Sequence, residues 1–201
     1  MCASRTRMLP VIALGLLPLC GQVSAAQENV PYCHSYAGLN FPDFMALWDY
    51  ANPGRTENTF RALLNLAANS QDKTYMSELL SQIARTYVMR GKHEEAEFYL
   101  GQSYLYLSDS EPRAEANYLR EKARLLIEQG RQQEAVAHLT SSWKIARESR
   151  YDRLAIEIAL DLHELQPDGA YNWQSRAKQL AEKTRDAKAL QWARDNQARL
   201  L

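Results

Sequence analysis

Two segments of the chain decide its fold when laid together: Ile83–Leu100, "IARTYVMRGKHEEAEFYL", and Lys122–Leu139, "KARLLIEQGRQQEAVAHL". They share Ala84 with Ala123, Arg85 with Arg124, Gly91 with Gly130, Glu95-Ala96 with Glu134-Ala135, and Leu100 with Leu139, at a constant offset of 39 residues. The shared residues follow one physical logic. A small side chain lets a first helix approach its mate, glycine ends that helix in a left-handed turn, and an alanine sits where the second helix crosses the first. The unmatched residues are as informative. His93-Glu94-Glu95-Ala96-Glu97 has the density of an acid/base or metal site, yet the second segment reads Gln132-Gln133-Glu134-Ala135-Val136 at the same positions. A first helical turn favours carboxylates through the helix dipole, so these charges are expected to face water.

Working outward, apolar residues keep helical spacing along most of the chain. Ala116, Leu119, Ala123, Leu126 and Ile127 form one face, and Tyr118 and Leu125 add a second. The segment from Lys73 is apolar around much of its circumference, as expected of a helix touched from several sides. Breaks at Asn52-Pro53-Gly54, Ser70-Gln71-Asp72, Gly91, Ser108 to Pro112, Gly130, Ser149 to Asp152, Pro167-Asp168-Gly169 and Arg185-Asp186 divide the chain into nine expected helices. No segment reads as a strand, and Trp48 and Tyr50 are placed in an N-terminal helix. Short links make consecutive helices antiparallel, so the expected class is all-α. Trp143, Trp173 and Trp192 are expected in packing positions.

The small residue, aromatic, glycine and alanine of these units resemble the tetratricopeptide repeat family, whose unit is about 34 residues. The matching positions are Ala84, Tyr87, Gly91 and Ala96, then Ala123, Leu126, Gly130 and Ala135. The longer offset, Leu126 in the aromatic's place and the lack of a closing proline depart from the family pattern. A further likeness covers about Phe44 to Trp192. There "LWDYANPGRTENTFRALL", "LLSQIARTYVMRGKHEEAEFYL" and "AYNWQSRAKQLAE" are similar to segments of a bacterial tetratricopeptide-repeat group. The resemblance implies helix–turn–helix repeats stacked as a short right-handed solenoid, with the third pair spanning Asp152 to Lys183. It also implies a peptide-binding groove lined by the first helix of each pair. Carried over position by position, the groove residues are Glu78, Ser81, Gln82, Arg85 and Met89, then Asn117, Arg120, Glu121, Arg124 and Glu128. Gln82, Arg85, Met89, Asn117, Arg120 and Arg124 are the expected contacts. Arginine offers a rigid fork of donors to a carboxylate or a peptide backbone. Glu121 and Glu128 could instead pair with these arginines along the helix.

The N-terminus bears on location. Arg5 and Arg7 precede an apolar run from Met8 to Leu19, and small residues at Val23-Ser24-Ala25-Ala26 follow. That order is expected of a signal peptide over 1–25, cleaved near Ala25 or Ala26, and so of a periplasmic or secreted protein. The run falls short of the roughly 20 residues a membrane helix needs. Leu19 before Cys20 departs from a lipoprotein pattern, which argues against a lipid anchor. Residues 26–40 lack periodicity and are expected as a poorly ordered lead-in to a repeat domain over 41–201. Cys33 would then be the one mature cysteine, with an intermolecular disulfide its possible use.

Without Arg5 and Arg7, 22 basic residues face 24 acidic ones. Such a balance provides no general attraction for nucleic acid. His34, His93, His138 and His163 contain no pair at ligand spacing, and no nucleophile elbow, phosphate loop or dinucleotide fingerprint occurs. No cofactor or metal is expected. The leading expectation is a non-enzymatic module that binds a protein or peptide. The alternatives are a structural subunit or homo-oligomer of the cell envelope, and a small hydrolase using a site such as His163-Glu164 beside Asp161.

Overall fold

The computed structural model describes residues 35–36, 39–167 and 169–200. The expected signal peptide, Cys20, Cys33 and most of the 26–40 lead-in lie outside the described residues. Ten α-helices account for most of the described chain: α1 Phe44–Leu47, α2 Pro53–Ser70, α3 Lys73–Val88, α4 His93–Tyr104, α5 Pro112–Glu128, α6 Gln132–Glu148, α7 Asp152–Leu165, α8 Trp173–Lys183, α9 Ala187–Asp195 and α10 Gln197–Leu200. The class is all-α. A 3-10 turn at Leu107–Asp109 fills the link before α5, and two-residue strands β1 Ser35–Tyr36 and β2 Leu39–Asn40 pair antiparallel.

Local chemistry accounts for the helix ends. Asn52, Asp72, Asn172 and Asp186 each accept a hydrogen bond from a free N–H in the first turn of α2, α3, α8 and α9. At the other end, Gly91 and Gly130 take φ of 67° and 74°. Lys92 N then donates to Tyr87 O and Arg131 N to Leu126 O, closing the same turn twice. Arg150 makes a third such turn at φ 61°, with Tyr151 N donating to Ala146 O.

Two expectations are corrected at the termini. The first expected helix is only the single turn α1: Trp48 is its extended C-cap, and Tyr50 stands in the turn before α2. Asn52 caps and Pro53 starts a new helix there, so the chain cannot run through. The last expected helix breaks at Asn196, which separates α9 from α10.

Neighbouring helices pair head to tail. Ser77 and Ser81 of α3 share a hydroxyl cluster with Ser103 near the end of α4. Ser142 of α6 donates to Ala116 O at the start of α5, and Thr184 beyond α8 reaches Asp152 at the start of α7. Ala84, Ala96, Ala123 and Ala135 are fully buried at these crossings, where a larger side chain would separate the backbones. The core is in two clusters, and α5 belongs to both. Ala123 and Leu126 pack with α6–α8, while Leu125 packs with α2–α4 and Tyr118 lies against it. Within this frame α3 packs along α5 and long side chains join α5 to α7, all three running in one direction: Glu78 meets Arg113 and Arg85 nears Glu121, while Arg120 and Arg124 meet Glu157 and Asp161.

Candidate functional site

The row formed by α3, α5 and α7 presents ionisable side chains on one face, and they interlock. Arg113 Nε lies 2.8 Å from Glu78 Oε1, which also accepts from Asn117 Nδ2 at 3.0 Å. Arg120 stands between α5 and α7, with Nη1 2.5 Å from Glu157 Oε2 and Nε 2.7 Å from Asp161 Oδ2. Arg153 holds the other oxygen of Glu157 at 3.0 Å. Arg124 divides its charge between Asp161, at 3.2 Å, and Glu121, at 3.3 Å. Arg85 Nε is 4.0 Å from the same Glu121 oxygen.

Burial and charge set the protonation states of this row. Burial alone would raise the Asp161 carboxyl, yet the Arg120 and Arg124 guanidiniums outweigh it and hold the group well below the usual carboxylate range. Glu157 is lowered for the same reason by Arg120 and Arg153. Glu78 goes the other way: burial outweighs Arg113 and Asn117 and pushes it up to about 7. Arg85 is lowered, first by burial and then by repulsion from Arg124. Of the two ends of the row, the one around Arg85 is less well neutralised.

The expected groove residues therefore fall into three groups. Asn117 and Gln82 are spoken for inside the fold, and Gln82 Oε1 accepts from Trp48 Nε1 at 2.9 Å. Arg85, Arg120 and Arg124 all line a cleft of about 480 Å³, Arg120 the most buried and Arg124 the most exposed of the three. Met89 caps the end of α3 in an exposed position away from that cleft. Among the described residues the cleft is also lined by Tyr50, Arg153, Asp161, Glu164, Trp192 and Arg199. Two walls thus come from outside the paired helices. On one side Trp48 and Tyr50 lie over the Arg85 guanidinium at 4.7 Å and 5.4 Å. On the other, Trp192 of α9 and Arg199 of α10 stand beside α7, with Arg199 2.9 Å from Glu164. Lys188 Nζ, 4.0 Å from Asp43, links the two sides.

Sequence reasoning missed these walls and the acidic partners on α7. A one-turn spacing, Glu157 to Asp161 facing Arg120 to Arg124, was the available signal for the latter. The wall residues show no periodicity that would mark them. Asp161 and Glu164, weighed beside His163 as an acid/base site, are both engaged with arginines, and a carboxyl held as acidic as Asp161 donates no proton near neutral pH.

His93 begins α4, and Glu94, Glu95 and Glu97 are exposed around it, with Glu97 3.5 Å from Lys122. Among the described residues no group of three or more His, Cys, Asp or Glu side chains is placed to hold a metal ion. None of the described helices is long and apolar enough to cross a membrane. Compared with known proteins, the chain matches no protein-family model, and no curated protein is significantly similar to it.

Proposed function

We propose that the chain is an exported, tetratricopeptide-like binding module that holds a segment of a protein partner against the α3–α5–α7 face, without catalysis. The observation that carries this reading is the parallel row itself. Three first helices of three antiparallel pairs point the same way and bring Arg85, Arg124 and Asp161 to one cleft, which Arg199 of α10 and aromatic walls complete. A stacked repeat has this organisation, because each pair buries its apolar sides against neighbours and leaves one edge of first helices open. Guanidinium forks beside Tyr50 and Trp192 suit a segment carrying carboxylates or carbonyls together with apolar side chains.

The test uses the more accessible arginines. Arg124 and Arg199 side chains are 24% and 42% exposed, whereas Arg120→Ala would unfold rather than probe the face. Tagged wild type and an Arg124→Gln, Arg199→Gln variant, shown to be equally helical by circular dichroism, are incubated with cell-envelope extract. Partners retained by the wild type should be lost or reduced at least about tenfold with the variant, as the loss of two charge-assisted contacts requires. Retention of every partner at wild-type strength removes the reading.

A further inference from the structure

The outer side of α4 does not behave like a solvated helix face. Ala96, Leu100 and Ser103 point inward, yet Phe98 and Leu105 point out and are 59% and 68% exposed, with Tyr104 beside them at 61%. Phe98 and Leu105 are seven residues apart, two helical turns, so they lie on one stripe. Between them is Gly101, exposed and in a helix interior, where nothing lies within 4 Å of where a Cβ would be. Glycine there is unfavourable for the helix by about 1 kcal/mol relative to alanine, and no contact within the fold requires it.

We propose that this stripe is the interface of a two-fold homodimer in which α4 crosses α4 of a second copy, antiparallel, at Gly101. The stripe is self-complementary about that residue. With the axis at Gly101, each Phe98 falls on Leu105 of the second copy, Tyr104 lies on the other flank, and the absent side chain lets the helices approach at their crossing. The area points to a weak association. Three half- to two-thirds-exposed large side chains and their flanks offer on the order of 400–500 Å² per copy, near the roughly 1,000 Å² total at which specific interfaces begin. A dissociation constant in the micromolar range is expected, about 10–100 μM.

The experiment is sedimentation equilibrium of the full chain from about 5 to about 500 μM, with Cys2→Ser, Cys20→Ser and Cys33→Ser to remove any dimer made by native thiols. Wild-type surface should give a concentration-dependent dimer. Phe98→Asp with Leu105→Asp should weaken it at least about tenfold, while Tyr171→Ser, at an exposed aromatic on α8's approach, should leave it unchanged. In the same background Gly101→Cys, on the axis, should oxidise to a covalent dimer. A monomer throughout would mean that something other than a second copy covers this face, and the proposal fails. It fails equally if the dimer ignores the double substitution, weakens as much with Tyr171→Ser, or cannot be cross-linked at 101.

Discussion

At the scale of single residues, three left-handed turns separate what glycine is needed for from what it is not. Gly91 and Gly130 have open space around their Cα atoms, so the constraint is their positive φ and not crowding. Gly91→Val and Gly130→Val should each cost about 1–2 kcal/mol, because a β-branched residue disfavours that conformation. Arg150 accepts the same strain at φ 61° with its side chain exposed. Arg150→Gly should therefore stabilise the protein, by up to about 1 kcal/mol after the extra entropy of glycine in the unfolded chain. Urea midpoints of the three variants check both signs. The glycine pair was readable in the sequence because it recurs at a fixed offset. The turn at Arg150 was readable only as a break, since arginine carries no signal for positive φ.

Among elements, alanine and serine at the crossings set how closely each pair packs. Ala96 of α4 and Ala135 of α6 are both fully buried in equivalent places. Ala96→Leu and Ala135→Leu should each destabilise by about 1–3 kcal/mol through overpacking, whereas Ala137→Leu, exposed and half a turn away on α6, should change the thermal midpoint little. Equal effects at 135 and 137 would mean that the crossing is not where the repeat puts it. The helix pairs were legible because their causes are local: apolar spacing, a capping oxygen, a glycine. The two faces of α5 were legible too, Leu126 and Leu125 serving different clusters. The N-terminal helix was misread because apolar spacing continues through Trp48, while the cap at Asn52 and the proline after it stop the helix early.

Across the whole molecule, buried charges couple the helices and give stability two opposed pH dependences. Asp161 is more acidic folded than its ordinary value of 3.8, so its contribution is complete above that value and is lost as pH falls below it. Asp161→Asn should cost about 3–5 kcal/mol at pH 7, since it leaves Arg120 and Arg124 short of a buried counter-charge. The gap to wild type should narrow below about pH 4. Glu78 is shifted upward, from 4.5 to about 7, so its folded form keeps a proton that the unfolded chain releases. Its contribution is complete below about pH 4.5 and is lost as pH rises toward 7. Glu78→Gln should flatten that part of the profile, and urea unfolding from pH 3 to pH 8 measures both windows.

What the sequence by itself determined is the all-α class, the pairing of successive helices and the exposure of the His93 carboxylates. Each rests on forces acting within a few residues of the chain: backbone hydrogen bonds, turn dihedrals and the side a residue faces. Only the tertiary structure decided how deeply each arginine of the cleft is buried against carboxylates. Arg120 and Arg124 look alike in sequence and share Asp161, but Arg120 is also held by Glu157 and is 7% exposed against 24%, through partners 37 to 41 residues away on α7. The walls of the cleft, from Tyr50 with Trp48 stacked on it at one end of the domain and Trp192 and Arg199 at the other, meet the row only when the chain has closed on itself. Coulomb energy and burial depend on distance in space, and no local pattern encodes that distance.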